Sequence, residues 1–324
     1  MTKAIRIYEH GGPETLKYED VDLGDVGPNE VRLRHNIIGL NYIDIYQRTG
    51  LYPIGNLPKT LGMEAAGIIE EVGANIQDFK VGDRVAYAMG LGSYCEERIW
   101  GTERLVKIPD AIEDKTAAAM LLQGMTAYYL LNRTYKVRPG DTILIYAAAG
   151  GLGLIACQWA KYLGATVIGC VGTKQKAEIA KAHGCDYPIL YRDENVPERV
   201  KEITNGEGVP VVYDSIGKQT LDDSLKSLRP FGLMVSFGNA SGPLDPFNIA
   251  SLGPSGSLHI TRQTLATHTA TRDLLNECSN ELFDVVENGH VKININQTYS
   301  LEQTEQAHRD LEARNTTGST VLIP

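Results

Sequence analysis

The hydrophobic positions of this chain fall into two regimes. Through about residue 125 the apolar runs are short, and they stop at glycine or proline. Ala4 to Tyr8 is a strand candidate closed by His10-Gly11-Gly12-Pro13. Glu30 to Asn36 sets Val31, Leu33 and His35 against Arg32 and Arg34, the period of a half-buried strand. Asn41 to Arg48 reads as a short helix, and Leu51-Tyr52-Pro53 opens a loop. Leu61 to Val72 runs into the turn Gly73-Ala74-Asn75, and Val81-Gly82-Asp83-Arg84-Val85 reads as a turn feeding a strand. Short apolar runs between frequent turn residues predict a partly open, barrel-like β domain.

The pattern changes near Lys115. Lys115 to Leu131 has helical composition, and Pro139-Gly140-Asp141 turns the chain into a new strand. From there strands and helices alternate. Helices are predicted at Gln175–His183, Pro197–Thr204 and Thr220–Leu228. Strands are predicted at Tyr187–Leu190, Pro210–Ser215, Leu233–Phe237 and Ser257–Thr261. Such alternation implies a parallel, doubly wound sheet with right-handed crossovers. Beyond Thr269 come amphipathic helices at Arg272–Asn288 and Leu301–Arg314, the second opened by a Ser300/Gln303 capping-box pattern. Thr320 to Ile323 is a closing strand that can return to the first domain.

Thr142 to Gly153 is the stretch with chemistry in it. Thr142-Ile143-Leu144-Ile145-Tyr146 suits a strand covered on both faces. Ala148-Ala149-Gly150-Gly151-Leu152-Gly153 follows, and a helix from Leu154 to Leu163 is ended by Gly164. Small residues at such a turn let backbone N–H groups approach a pyrophosphate, whose charge the helix N-terminus favours. The pattern is a dinucleotide fingerprint with Ala148 at its first glycine position. A plain strand-to-helix turn is the competing reading. The following strand, Ala165 to Val171, ends in Gly172-Thr173-Lys174-Gln175-Lys176 without the acid that binds the ribose hydroxyls of NAD. Small polar residues and two lysines suit a 2′-phosphate, which favours NADP(H). The alternative is that Lys174 and Lys176 are simply solvated.

Composition narrows the function classes. The net charge of −9 leaves no broad electrostatic footprint for nucleic acid or anionic membrane. MTKAIRIYEH lacks a signal-peptide pattern, and no apolar run approaches the ~18 residues of a membrane helix. A soluble, cytoplasmic protein is expected. Five scattered cysteines form neither a disulfide framework nor a metal knuckle, and Cys157, Cys170 and Cys278 fall in apolar stretches as buried hydrophobes. The seven histidines lie outside the motif segments assigned to catalysis, apart from His10. No nucleophilic triad is evident.

Collinear motifs covering the whole chain resemble the medium-chain dehydrogenase/reductase superfamily, and within it the NADPH:quinone oxidoreductases of the zeta-crystallin-like branch. They are Glu9 to Glu14, Asn41-Tyr42-Ile43-Asp44, Gly50-Leu51-Tyr52-Pro53, Leu61 to Gly67, Val81 to Val85 and Gly124 to Tyr128, then Ala147 to Gly153, Val212 to Ser215 and Leu233 to Gly238. The resemblance implies an α/β protein with a GroES-like catalytic domain (residues 1–125 and 264–324), a partly open β-barrel. Between its parts sits a doubly wound Rossmann NADPH-binding domain (126–263). It implies pairing of two copies through the edge strand near Ser257 to Arg262.

Zinc-dependent relatives place a histidine in a Gly-His-Glu motif. Here Gly62-Met63-Glu64 stands there, Asn41-Tyr42-Ile43-Asp44 occupies the early cysteine region, and four clustered cysteines are missing. A thioether does not replace imidazole on zinc, so no metal is expected. By resemblance Asn41, Asp44, Tyr46 and Tyr52 lie beside nicotinamide and substrate, with the two tyrosines as aromatic walls. Ordinary packing tyrosines are the alternative. Gly150, Gly151, Leu152 and Gly153 face the pyrophosphate, and Gly172, Thr173, Lys176 and Tyr191 the adenosine end. Thr126, Ser215, Phe237, Gly238 and Asn239 lie toward ribose and nicotinamide, and Arg262 either reaches the cofactor or serves the surface or a dimer. The implied activity is reduction of quinones by NADPH. The rivals are an enone or alkenal reductase on the same scaffold and a non-catalytic nucleotide-binding structural or RNA-binding protein.

Overall fold

A computed structural model describes residues 1–324. Two compact units emerge: Met1–Met125 with Thr269–Glu287 and Ile293–Pro324, and Thr126–His268 with Asn288–Lys292. In chain order the first unit begins with β1 (Thr2–Ile7), β2 (Lys17–Val21), β3 (Glu30–Leu40), α1 (Tyr42–Arg48), β4 (Lys59–Thr60), β5 (Glu64–Val72), β6 (Arg84–Ala88), β7 (Glu97–Gly101) and β8 (Val106–Lys107). Helix α2 (Asp114–Tyr128) follows. The second unit holds β9 (Thr142–Tyr146), α3 (Gly151–Tyr162), β10 (Thr166–Val171), α4 (Lys174–Ala182), β11 (Tyr187–Leu190), α5 (Val196–Ile203), β12 (Val209–Asp214), α6 (Leu221–Ser227), β13 (Leu228–Ser236), β14 (His259–Arg262) and α7 (Leu265–His268). The chain then returns to the first unit with α8 (Arg272–Glu287), β15 (Ile295–Ser300), α9 (Thr304–Glu312) and β16 (Ser319–Ile323).

The first unit is built on β3. Val31, Leu33 and His35 point inward, as the alternation predicts, while Ile38, Gly39 and Leu40 form a continuous buried end. This strand pairs with β5, β7 and β16, at the centre of a sheet ordered β15-β16-β3-β5-β6-β8 with β7 also on β3. The closing strand pairs antiparallel with it, Thr320 opposite Leu40 and Leu322 opposite Ile38. Val321 and Leu322 are fully buried. Each such side chain contributes roughly 2 kcal/mol, enough to draw the distant C-terminus into this sheet. Strands β2, β1 and β4 form a second, three-stranded sheet.

The second unit has a six-stranded parallel sheet ordered β11-β10-β9-β12-β13-β14. Strand order reverses between β9 and β12, where a doubly wound sheet opens its ligand crevice. Leu144, Ile168, Ile189, Val212 and Met234 form its core. All five cysteines are free and buried.

Three elements differ from the sequence reading. The helix expected over Lys115–Leu131 ends at Tyr128 and widens into a π-helical turn, Tyr129–Thr134. Strand β13 starts at Leu228 rather than Leu233, because Leu228 pairs with Val209 across a register shift that absorbs Arg229 to Gly232. The helix expected over Leu301–Arg314 divides into a 3₁₀ turn, Leu301–Gln303, and α9. Its capping box is present, with Ser300 N donating to Gln303 Oε1 at 3.0 Å.

A β-carbon at Gly67 would lie 2.0 Å from Arg34 O, backbone against backbone, beside the residue pair His35–Gly67 that joins β3 to β5. Gly67→Ala is therefore expected to cost about 3 kcal/mol, lowering the thermal midpoint by several degrees. Gly253→Ala, whose added carbon meets Ala250 O at 3.7 Å, should leave it unchanged in the same scan.

Candidate functional site

In the first unit the site is assembled where β3 hands over to α1. Asn41 is the N-cap of α1 in an extended conformation, and its backbone N donates to Asp44 Oδ2 at 2.8 Å. Its side chain faces the other way: Nδ2 donates to Glu64 Oε2 at 2.7 Å. Gln123 Nε2 donates to Asn41 Oδ1 at 3.1 Å, and Ser319 Oγ to Gln123 Oε1 at 2.9 Å. Leu122 N donates to Glu64 Oε1 at 2.8 Å. Gly39 makes room for this carboxylate, since a β-carbon there would lie 2.5 Å from Glu64 Oε2. Asn41 thus joins two carboxyl groups, Asp44 and Glu64, both with 1 % exposure or less. Burial pushes Asp44 up to about 7 and Glu64 up to about 8, against the N–H donors that pull both down.

Asp44 is tied further to the C-terminal part of the chain. Tyr94 donates its hydroxyl proton to Asp44 Oδ2 at 2.8 Å, and its oxygen lies 3.1 Å from His308 Nε2. Arg48 Nη1 stands 3.1 Å from His308 Nδ1, and Arg48 Nη2 donates to Glu312 Oε1 at 2.7 Å. Arg48 Nε donates to Gly11 O at 3.1 Å. Gly62 permits the approach of Tyr94: it sits at φ +91°, and a β-carbon would lie 2.2 Å from the Tyr94 ring. Burial drives His308 down to about 3, with the Arg48 charge acting the same way, so the imidazole is neutral.

Three tyrosines form a ladder. The rings of Tyr42 and Tyr46 are 5.4 Å apart, and those of Tyr46 and Tyr52 are 5.0 Å apart. Tyr52 N donates to Tyr46 O at 3.0 Å. Tyr46 is buried, while Tyr42 and Tyr52 are half-buried. At the place of the zinc-binding histidine, buried Met63 accepts from Gln47 Nε2 at 3.1 Å through its sulfur. No three His, Cys, Asp or Glu side chains converge as a metal-holding group.

In the second unit β9 runs into the glycine turn and α3. Ala147 takes φ +53°, so the left-handed strain falls one residue before Ala148, costing about 1 kcal/mol. Ala148 is fully buried, its N donating to Cys170 O at 3.1 Å. Gly150 is the N-cap of α3 and no side chain caps the helix. The first N–H groups of α3, at Gly151, Leu152 and Gly153, therefore face no competing side-chain acceptor at the cap, the condition for an anion site. A β-carbon at Gly153 would lie 2.2 Å from Ala147 O, so only glycine closes this turn. The site fits a pyrophosphate.

The residues expected at the adenosine end come together after β10. Tyr191 lies over Gly172, its hydroxyl oxygen 3.0 Å from the place of a β-carbon there. Thr173 caps α4, accepting from Lys176 N at 3.2 Å. Lys176 is half-buried and Lys174 exposed, which separates two lysines that the sequence treated alike. Arg192, not singled out by the sequence reading, has its guanidinium 6.0 Å from the Tyr191 ring.

At the ends of β12 and β13 two turns are stitched together. Phe237 N donates to Asp214 O at 2.9 Å and Ala240 N to Ser215 O at 3.3 Å. A β-carbon at Gly238 would lie 2.3 Å from Ser215 O. Arg262 is exposed, and its Nη1 donates to Ser236 Oγ at 3.0 Å and Gly238 O at 2.9 Å. It thereby braces the turn that carries Phe237, Gly238 and Asn239. Thr126 is buried on α2, and Asn41, Asp44, Tyr46 and Tyr52 belong to the other unit.

Sequence reasoning missed Glu64, Tyr94, Gln123 and His308. Glu64 was visible inside a quoted motif, but the partners of its carboxylate, Asn41 and Leu122, come from two other segments. The Gly153 geometry yields a direct test: Gly153→Ala should weaken NADPH binding at least tenfold, measured by fluorescence titration, while far-ultraviolet circular dichroism stays unchanged.

Comparison with known proteins agrees with this geometry. Residues 27–139 match the alcohol dehydrogenase GroES-like domain, and residues 151–280 match the family described as zinc-binding dehydrogenase. A quinone oxidoreductase of Pseudomonas aeruginosa is 51 % identical over 100 % of both chains. A 2-haloacrylate reductase of a Burkholderia species is 45 % identical over 100 % of this chain and 99 % of its own. The crystal structure of Escherichia coli quinone oxidoreductase complexed with NADPH superimposes with a TM-score of 0.97 at 46 % identity, covering 99 % of this chain and 100 % of that one. With two units, a glycine turn opening α3 and full-length relatives of this kind, the chain belongs to the quinone oxidoreductases of the medium-chain dehydrogenase/reductase superfamily, in its zeta-crystallin-like branch.

Proposed function

We propose that this protein is a zinc-independent oxidoreductase passing reducing equivalents from NADPH to quinones. The observation that carries the reading is the combination of a glycine turn shaped for a pyrophosphate with a site whose zinc-ligand positions hold the Asn41 amide and the Met63 thioether. The full-length relatives named quinone oxidoreductase supply the acceptor class.

NADPH supplies a hydride from its nicotinamide ring. The residues of this chain bind and orient. Gly151, Leu152 and Gly153 present backbone N–H groups to the pyrophosphate, beside Gly150, whose own N–H closes the turn onto Ala147 O at 2.9 Å, and Lys176, Tyr191 and Thr173 take the adenosine end, where positive charge selects the 2′-phosphate. Thr126, Ser215, Phe237, Gly238 and Asn239 hold the ribose and nicotinamide end, with Arg262 bracing their turn. Tyr46 and Tyr52 form an aromatic wall for a flat acceptor, and Asn41 and Asp44 fix the segment that carries them. A quinone is electrophilic without a Lewis acid, so positioning and water exclusion are the protein's main tasks.

The domain assignment belongs to this reading: residues 1–125 and 264–324 as the GroES-like catalytic domain, 126–263 as the Rossmann NADPH-binding domain. So does a homodimer through β14. In its support, β14 lies at an open edge of the parallel sheet, and Phe231 and Ile249 of the same unit are 74 % and 76 % exposed. A cytoplasmic location fits five free cysteines, and no helix is long and apolar enough to cross a membrane. A second reading, reduction of a polarised C=C bond, is favoured by the similarity to the 2-haloacrylate reductase.

Loss of reduced-nicotinamide absorbance tests the reading. Oxidation of NADPH by a small quinone should be fast, slower with NADH and insensitive to chelator. Turnover with an enone alone would move the protein to the second reading, and tight NADPH binding without any turnover would sink both. Lys176→Ala and Arg192→Ala should each lower the preference for NADPH over NADH about tenfold, leaving the rate with NADH intact.

A further inference from the structure

The hydrogen bonds around Asp44 run in one direction. Arg48 has no acceptor atom, so its Nη1 must meet a lone pair on His308 Nδ1. His308 is neutral, which puts its one ring proton on Nε2, facing the oxygen of Tyr94. The Tyr94 hydroxyl proton is then committed to Asp44 Oδ2, where Asn41 N also donates. Reversing the chain would set an Nδ1–H against the Arg48 guanidinium. Arg48 itself is fixed from behind by Gly11 O and Glu312. Every donor therefore points inward, and the chain ends on a carboxyl group whose other oxygen, Oδ1, is buried without a hydrogen-bond partner.

That free oxygen is where Asp44 accepts a proton without displacing a donor. The groups facing Asp44 are Glu64 across Asn41, Tyr94 from the loop before β7, His308 from α9 and Arg48 from its own helix; Glu312 and His10 contact Arg48 behind it. Asp44, once ionised, opposes ionisation of Glu64, while the hydroxyl of Tyr94 supports the charged form of Asp44.

We infer that Tyr94, His308 and Arg48 are positioning residues for the reduction: they lock the Asp44 carboxyl group in one orientation and thereby set the charge that the site presents to the acceptor. The inference rests on the NADPH-reductase reading. Hydride transfer leaves negative charge on the acceptor. An ionised carboxylate nearby opposes that charge, and a protonated one does not. The fold donates two hydrogen bonds to one oxygen of Asp44 and none to the other, so each donor lost favours the protonated form. Each residue acts through Asp44, and none needs to touch NADPH or quinone.

The test uses the full chain, wild type and Tyr94→Phe, with two readouts. In apoprotein labelled with ¹³Cγ-aspartate, one carboxyl should titrate near neutrality and vanish in Asp44→Asn. In Tyr94→Phe it should titrate about one pH unit higher, since a donor to the ionised form is gone. The alkaline limb of the kcat–pH profile with a small quinone should move by the same amount, with NADPH affinity changed less than twofold. His308→Ala should shift both readouts the same way by less. His308→Gln, whose amide donates to Tyr94 and accepts from Arg48, should restore them. A Tyr94→Phe protein with a lower thermal midpoint but an unmoved titration and limb has lost only packing, and that result overturns the inference. Absence of wild-type quinone turnover overturns the role in reduction through the function reading instead, and the apoprotein titration tells the two failures apart.

Discussion

A guanidinium with 1 % exposure has to find acceptors for its N–H groups, and much of the first unit is arranged around that demand at Arg48. It reaches back to Gly11 O in the opening loop and forward to His308 and Glu312, more than 250 residues later in the chain. A buried ion pair of this kind is weak evidence for stability, because the desolvation it suffers offsets the attraction. Its consequence here is orientation. Arg48 stands at the C-terminal end of α1, the helix that begins with Asn41 and carries Asp44 and Tyr46. Securing one end of α1 to α9 fixes the helix on which those three residues depend.

Missing β-carbons are the second constraint. Gly39 admits Glu64, Gly62 admits Tyr94, Gly67 lets β5 lie against β3, and Gly153 closes the turn on Ala147. Each site has backbone or a ring within 2.5 Å of where a side chain would begin. Glycine costs conformational entropy on folding, and at these positions the chain gains a close approach that no other residue allows. For Gly39, Gly62 and Gly67, the burial of Val31, Leu33, Ile38, Val321 and Leu322 supplies the offsetting free energy in the same unit.

Much of this was legible in the sequence. Alternation over Glu30–Asn36 located β3, the apolar run Thr142–Tyr146 located β9, and the turn after it carried its own chemistry in glycine spacing. These are local signals: periodicity of two, a doubly covered strand, a helix start without a competing side chain. Met63 in place of histidine was equally local. The parallel, doubly wound character of the second sheet followed from alternation of element types, and its strand order came from the fold.

Other features had no local signal. Arg229 to Gly232 fell between an expected helix and an expected strand, yet the pairing of β13 with β12 keeps it within β13. The widened turn at Tyr129–Thr134 has an ordinary helical composition. Lys174 is exposed and Lys176 half-buried, a difference that only the folded chain sets. His308 sits on an amphipathic helix where a sequence suggests a structural or exposed imidazole, and only the meeting of α9 with Tyr94 and Arg48 fixes its proton on Nε2. The sequence by itself determined most of the elements, the glycine turn that opens α3 and the loss of zinc donors, because each depends on residues adjacent in the chain. The tertiary structure alone decided the polar circuit joining Asn41, Asp44, Glu64, Tyr94 and His308, because burial and hydrogen-bond direction are properties of side chains brought together from opposite ends of the chain.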